Sequence, residues 1–314
     1  MMSKHGFFRV ILLAVGIFLL STSGMARPAQ SQVDAAIQSN LPIVLKRSFF
    51  GNGTVTGTVI NASLNKPEGG IQVCSKTLCD LSNDNGVYKL KDIASGYQTL
   101  TAFASGFMTT TQNTNVVANT ENQQDITIVP SVIEDGLKYR IVITWDPTSC
   151  WPAPDGSTCW PNDLDAHMWL EPPPVDYHIG YYFHYNPKTE VEEYWLDTGD
   201  YLLFPYAVLE SWTADGYGPE TLAIKSLVRD KIYYVGVFNY NQGQPGVPPI
   251  SQTGTQVQVY GLGGLEGNYQ VPIDMGDLNF WYVFKLDNTV NPPVITETNC
   301  IINYSNDPPQ CPEK

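Results

Sequence analysis

The chain has 314 residues, of which 17 are Lys or Arg and 31 are Asp or Glu, so its formal net charge at pH 7 is −14. This acidic excess makes nucleic acids and anionic membrane surfaces poor partners. The length is sufficient for two domains, and short alternating runs are far more common in the chain than helical periodicity. We therefore expect an all-β protein built from two tandem antiparallel β-sandwich domains.

Residues 1–26 are typical of a secretory signal peptide. Two basic residues precede the apolar run Val10 to Leu20, and small residues follow it. The run is shorter than the roughly 20 residues that a membrane-spanning helix needs, so a retained anchor is the weaker interpretation. We expect cleavage after Ala26, a linker over residues 27–51, and a mature chain that is secreted or held at the cell envelope without a transmembrane anchor.

The six cysteines form three pairs that are close in sequence. An oxidising destination favours disulfides, and each pair lies within its own segment, so local pairing is expected. A metal site is the alternative, but no Cys-x-x-Cys spacing supports it. The predicted disulfides are Cys74–Cys79, Cys150–Cys159 and Cys300–Cys311. The last pair lies in residues 291–314, which are predicted to form a disulfide-stapled tail.

Residues 52–130 are predicted to form the first β-domain, because short runs rich in β-branched residues alternate with turn residues. The segment Asn83-Asp84-Asn85-Gly86 supplies residues that tolerate a positive φ, and Ser95-Gly96 and Ser105-Gly106 interrupt the next two runs. The predicted strands are Val55–Ile60, Gly70–Cys74, Gly86–Leu90, Gln98–Phe103 and Gln124–Val129.

A set of motifs in this segment occurs in a recognisable order. They are Gly57-x-Val59, Pro67-x-x-Gly70-x-x-Val73, Asn83-Asp84-x-Gly86-x-Tyr88-x-Leu90, Gly96-Tyr97, Ser105-Gly106-Phe107 and Asp125-Ile126-x-Ile128. Together they resemble the carboxypeptidase regulatory-like domain. The resemblance implies a transthyretin-like (prealbumin-like) sandwich that accompanies other extracellular domains and holds no catalytic residues. Its grouping with carbohydrate-binding-like folds is an analogy of fold and does not identify a sugar site.

Residues 137–290 are predicted to form a second, larger β-sandwich, which contains all seven tryptophans. Several of its strands are apolar on both faces, as expected for strands enclosed in a sandwich. Its longest loops are aromatic, and long loops commonly carry binding sites. The predicted strands are Tyr139–Trp145, Asp163–Leu170, Gly180–Tyr185, Thr221–Ile224, Lys231–Asn239, Thr255–Tyr260 and Asn279–Leu286.

Four elements of this second segment also occur in a distinctive order. They are Tyr139–Trp145, Asp163-Leu-Asp165-x-His167-x-Trp169, Asp215-Gly-Tyr-Gly-Pro-Glu220-Thr and Tyr233-Tyr-Val-x-Val-x-Asn-Tyr240. Together they resemble a YfaP-like uncharacterised secreted bacterial domain. The resemblance implies a fold without an activity, because the function of that family is not established. This sequence departs from the family in the Cys150–Cys159 loop and in the stretch Glu190–Trp212.

Asp163, Asp165 and His167 define the candidate site of the chain. Successive side chains of a strand lie on opposite faces, so these three share one face while the apolar residues between them face the core. The loop that carries Asp215 and Glu220 is expected to complete the site. Clustered carboxylates suit Ca²⁺, with His167 in a supporting position behind the ligands. The core-facing residues are Leu164, Ala166 and Met168.

Two other interpretations of these residues stay open. The carboxylates can cap turns or accept backbone hydrogen bonds, and His167 can pair with one of them. A zinc or copper site that uses His167, His178 and His184 is less favoured, because their spacing is not that of a metal-binding motif.

The chain lacks the sequence motifs of common hydrolases and phosphate-binding enzymes, so we expect no enzymatic activity. The predicted function is a secreted or envelope-associated binding or structural protein that contacts an extracellular glycan or protein surface. A carbohydrate-binding module is the alternative, and a hydrolase that uses acidic residues of the second domain is less favoured. Exposed aromatic rings stack on sugars. The candidate ligand-binding residues are Trp195, Trp212, Tyr201 and Tyr206, with Trp151 and Trp160 in the same group of loops.

Overall fold

The structure is a computed structural model, which describes residues 51–145, 150–152, 159–171, 177–186, 191–213, 218–243, 247–273, 278–304 and 309–311. Within these ranges nearly all regular structure is β-strand, and the one helix is a 3₁₀ turn at Ile250–Gln252. The prediction of an all-β sandwich protein is confirmed. The predicted signal peptide and, except for Gly51, the predicted linker lie outside the described residues.

The first sandwich has ten strands in two sheets. One sheet centres on β1, which pairs in parallel with β9 and β10 and antiparallel with β2 and β5, and β7 extends it beyond β10. The other is antiparallel, in the order β4-β3-β6-β8. The strands are β1 (Asn52–Asn61), β2 (Lys66–Pro67), β3 (Gln72–Ser75), β4 (Leu78–Leu81), β5 (Val87–Ala94), β6 (Gly96–Phe103), β7 (Phe107–Met108), β8 (Thr110–Val116), β9 (Glu121–Gln123) and β10 (Ile126–Pro130).

Strand β1 shows why the sequence folds this way. Its side chains alternate, and Val55 and Val59 are fully buried in the core of the first sandwich. Gly57 packs closely against the backbone of Gln124, and an added Cβ would be 1.8 Å from the carbonyl oxygen of that residue. Tyr88 donates a 2.6 Å hydrogen bond to the same oxygen from inside the core. Glycine is therefore required at position 57 for this close packing.

The second sandwich faces two six-stranded sheets against each other, in the orders β17-β18-β19-β11-β21-β22 and β16-β15-β14-β20-β23-β24. A separate hairpin pairs β12 with β13. The strands are β11 (Tyr139–Thr144), β12 (Cys150–Pro152), β13 (Cys159–Pro161), β14 (Leu164–Glu171), β15 (Tyr177–Asn186), β16 (Val191–Asp197), β17 (Gly199–Asp200), β18 (Ala207–Ser211), β19 (Glu220–Ile224), β20 (Ile232–Asn239), β21 (Gln256–Gly261), β22 (Gly264–Gln270), β23 (Phe280–Asp287) and β24 (Val294–Ile302).

The C-terminal region contributes to the second sandwich. Residues 294–302, which were predicted to belong to the tail, form β24 and pair with β23 along its length. The Cys300–Cys311 disulfide then closes the end of the chain beside this strand. Cys74–Cys79 is also formed, between β3 and β4, so two of the three predicted disulfides are confirmed. The side chains of the Cys150–Cys159 pair lie outside the described residues.

The two sandwiches belong to one compact unit and share a buried interface. The hydroxyl groups of Ser211 and Thr221 both donate to the carbonyl oxygen of Ala62, at 2.8 and 2.7 Å. Arg140 donates to the carbonyl oxygen of Pro130 at 2.6 Å. The two hydrogen bonds to Ala62 are buried, so they fix the orientation of one sandwich on the other. The apolar members of the interface are Ala62, Val129, Val132, Leu137, Val142, Ala223 and Tyr260.

Candidate functional site

Strand β14 carries the predicted site, and both of its faces are buried although one is apolar and the other polar. Leu164, Ala166 and Met168 are fully buried in the core between the sheets. On the opposite face, Asp165 is 7% exposed and His167 is 0% exposed. Other parts of the second sandwich therefore cover both residues on this face.

The cover over His167 is aromatic and comes from several strands of the second sandwich together with Tyr304 of the C-terminal region. The ring of Tyr304 lies 5.0 Å from the His167 ring, and Phe280 lies 6.0 Å away. His178, from β15, shares a 2.8 Å hydrogen bond with His167 between Nε2 and Nδ1, and it stacks on Trp169 at 4.3 Å. His167 thus lies in an aromatic cluster with a second histidine.

Both histidines of this cluster are neutral. Burial lowers the pKa of His167 well below its ordinary value of 6.5, and the neighbouring His178 lowers it further. Burial also lowers the pKa of His178 to about 3. A neutral imidazole has one donor and one acceptor nitrogen, so one ring donates to the other. The pair is a packed polar contact inside an apolar layer.

Glu220 connects the two sheets of the second sandwich. It starts β19 and is 1% exposed, yet its carboxylate contacts β14 across the core. Oε2 accepts a 2.7 Å hydrogen bond from the N–H of Ala166, and Oε1 accepts one of 3.2 Å from the N–H of Thr213. Strand β15 pairs with β14 only from Met168 onward. The N–H of Ala166 lies outside this pairing, and Glu220 accepts its hydrogen bond.

Electrostatic coupling groups three of the predicted ligands. Burial raises the pKa of Glu220 well above its ordinary value, and the charges of Asp165 and Asp163 raise it further despite the two backbone hydrogen bonds. Burial also raises the pKa of Asp165, with a second contribution from Asp163. Carboxyl groups that raise one another's pKa favour a shared proton or a bound cation.

The structure does not test the calcium prediction. Within the described residues, no group of three or more His, Cys, Asp or Glu side chains is arranged to hold a metal ion. Asp215, the fourth predicted ligand, lies outside the described residues, and so does the side chain of His184. Calcium at Asp163, Asp165, Asp215 and Glu220 stays a prediction.

Among the predicted aromatic ligand residues, the structure describes the side chains of Trp212, Tyr206 and Tyr201. Trp212 is 43% exposed and contacts Tyr181 edge-on at 6.0 Å, while Tyr206 is 37% exposed. These two residues flank opposite ends of β18, which separates them by roughly 20 Å at the usual rise per residue. Tyr201 is half-buried, and its hydroxyl donates to Glu210. The side chains of Trp151, Trp160 and Trp195 lie outside the described residues.

Sequence reasoning missed the charged cluster around Arg140. This residue is 1% exposed, and it donates to both oxygens of Glu210 at 2.8 and 2.9 Å and to Asp135 at 2.8 Å. Arg140 lowers the pKa of Glu210 even though burial opposes this. One signal was available: Arg140 is the only charged residue of the otherwise apolar or hydroxylated strand Tyr139–Thr144.

No protein-family model and no curated protein matches the chain. Among solved structures it is similar to a type II cohesin–X-dockerin complex from Acetivibrio cellulolyticus, at 20% identity over 24% of this chain and 56% of that chain, with a TM-score of 0.21. A DUF3823 family protein from Parabacteroides merdae is 10% identical over 60% of this chain and 90% of that chain, with a TM-score of 0.21.

A protein from Bacteroides uniformis, provisionally named a carbohydrate binding protein, is 11% identical over 79% of this chain and 99% of that chain, with a TM-score of 0.22. The chain spans 56% and 58% of two cohesin–X-dockerin chains, which is less than two thirds of their length. Likenesses at this level do not assign a function. The regulatory-like and YfaP-like resemblances stay predictions.

Proposed function

We propose that the chain is a secreted or envelope-associated, non-catalytic protein that acts as a rigid binding or structural module. The observation that carries this proposal is the desolvated interface between the sandwiches, where Ser211 and Thr221 both bond to Ala62. A fixed pair of sandwiches presents loops from both at a constant distance and angle. The disulfides Cys74–Cys79 and Cys300–Cys311 support an extracellular location, because such bonds persist in oxidising compartments.

The burial of the titratable groups supports a non-catalytic role. A general acid or base must reach the proton that it transfers. His167 is 0% exposed and Glu220 is 1% exposed, and Glu220 already accepts two backbone hydrogen bonds. These contacts leave Glu220 a structural role as a link between β14 and β19.

The test combines turnover and binding on the mature protein. We expect no hydrolysis of a panel of extracellular glycans and peptides, and we expect retention on at least one extracellular polymer or protein surface. Turnover that is lost in Asp165→Asn would overturn the non-catalytic proposal. Tyr97→Ala serves as a control for this assay, because it truncates an exposed ring of the first sandwich, away from the buried carboxylates.

Carbohydrate binding through aromatic side chains of the second sandwich is the second candidate, and the exposure of Trp212 favours it. Exposed aromatic rings stack on sugar faces. Binding on a glycan array should then weaken in Trp212→Ala and in Trp195→Ala. Binding that is unchanged in the double variant contradicts this candidate and leaves the rigid-module proposal in place.

A further inference from the structure

A cavity of about 390 Å³ lies where the two sandwiches meet. Its volume is at the lower end of the roughly 300–1,000 Å³ that is typical of small-molecule sites. Asn61 and Leu64 line it from the first sandwich, and Lys225 lines it from the second. The segment between the sandwiches contributes Asp135. The cavity is thus formed only when the sandwiches are docked on each other.

The polar wall of the cavity is already ordered. Arg140 is fixed by Glu210, Asp135 and the carbonyl oxygen of Pro130, which together take four of its N–H groups. A guanidinium group has five N–H donors, so one is left for another acceptor. One carboxylate oxygen of Asp135 accepts a hydrogen bond from Arg140, and the Asp135 side chain is 46% exposed. A ligand would meet these groups without a cost of rearrangement.

One face of the cavity is suited to a ring. The hydroxyl of Tyr201 donates to Glu210, which fixes the aromatic ring beside the cavity. The ammonium group of Lys225 lies 6.0 Å from the centre of this ring. Leu64, which is 60% exposed, lies at the rim. The cavity therefore presents an aromatic surface, an apolar rim and charged hydrogen-bonding groups together.

The charges that line the cavity cancel. Arg140 and Lys225 are cationic, whereas Asp135 and Glu210 are anionic. An anionic ligand would meet the two carboxylates, and a cationic ligand would meet the guanidinium and ammonium groups. A neutral molecule with many hydroxyl groups avoids both conflicts, because each hydroxyl can donate to a carboxylate and accept from a cation.

We propose that this cavity binds a small neutral polyhydroxylated ligand of about mono- or disaccharide size. Its hydroxyl groups would contact Asp135, Lys225 and the remaining N–H of Arg140, and its apolar face would pack on Tyr201 and Leu64. The proposal rests on the proposed binding function and assigns that function a site between the sandwiches, away from Trp212.

The test measures binding of common mono- and disaccharides to the mature protein by saturation-transfer NMR and calorimetry. We expect at least one sugar to bind. Leu64→Trp should block the rim and weaken that binding by about tenfold or more. Leu81→Trp is the matched control, because Leu81 is also 60% exposed but lies on β4 and does not line the cavity. Lys225→Ala should also weaken binding, with the exposed Lys91→Ala as its control.

The possible results distinguish a failure of the cavity proposal from a failure of the proposed function. If no sugar binds, or if Leu64→Trp and Leu81→Trp bind a sugar equally, the cavity proposal is wrong and the rigid-module proposal stands. If inorganic phosphate binds and no sugar does, the assignment of a neutral ligand is wrong. If a sugar is hydrolysed, the non-catalytic function is wrong, and sensitivity of its binding to Leu64→Trp still supports the cavity.

Discussion

Glu220 places a carboxyl group in the core, where burial raises its pKa well above 4.5. A carboxyl group with a higher pKa in the folded than in the unfolded chain favours folding below its unfolded pKa, and this contribution is lost as the pH rises through the folded value. Asp165 has the same sign. We predict that the unfolding free energy of chelator-treated protein falls as the pH rises above about 4.5, and that Glu220→Gln reduces this fall.

Urea denaturation across this pH range provides the measurement. The buried histidines act in the opposite sense, since a lowered pKa costs stability as the pH falls below about 6.5. Glu220→Gln leaves the histidines in place, so the difference between the variant and wild-type profiles reports on the carboxyl group of Glu220. Glu121→Gln is the control, because Glu121 is exposed and pairs only with exposed Lys89. If the unfolding free energy of Glu220→Gln varies with pH in parallel with that of the wild type, the expectation is refuted.

Calcium binding gives a separate prediction for the same carboxyl groups. A bound cation stabilises the folded chain by about 2.7 kcal/mol at a free concentration one hundred times its Kd. After chelator treatment, added Ca²⁺ should raise Tm at neutral pH, and the rise should be absent in Asp165→Asn. Differential scanning fluorimetry provides the measurement. An unchanged Tm in the wild type would mean that Asp163, Asp165 and Glu220 do not bind calcium.

At the scale of the element, β14 shows what the sequence could predict. Strand alternation correctly identified the core face that begins with Leu164, because a period of two is a local property of the chain. It did not predict that the opposite face would be covered, since Tyr304 reaches His167 from a distant part of the chain. The contact between Glu220 and Ala166 also joins different sheets. Contacts between residues that are far apart in the sequence leave no trace in the local sequence pattern.

Tyr304 gives a test of this cover. Its ring contacts His167 at 5.0 Å and Phe238 at 4.5 Å, in the cluster against which the C-terminal disulfide also packs. Tyr304→Ala should lower the unfolding free energy by about 2 kcal/mol, because it leaves a cavity in an aromatic layer. Tyr97→Ala, at a ring that is 87% exposed, should change it by less than about 0.5 kcal/mol. Equal effects of the two changes in chemical denaturation would show that the C-terminal region does not seal β14.

At the scale of the whole molecule, the interface between the sandwiches was not predictable from the chain. Turn residues and composition separated two β-segments, but Ala62 lies in an ordinary turn after β1 and Val142 has the pattern of an ordinary strand residue. Their burial depends on a surface of the other sandwich. When each of two segments can form its own hydrophobic core, the local sequence does not show whether the two folded domains then pack on each other. The cavity beside Arg140 follows from this packing and was missed for the same reason.

The hydrogen bonds at Ala62 make the interface testable. Ser211→Ala with Thr221→Val removes both side-chain donors to a buried carbonyl oxygen, which should cost about 1–3 kcal/mol. Because this loss falls on the interface, we predict that calorimetry gives one transition for the wild type and a broadened or split transition for the double variant. Thr99→Val, which removes an exposed hydrogen bond within the first sandwich, should retain the single transition. Two well-separated transitions in the wild type would mean that the sandwiches unfold independently and that the rigid-module proposal fails.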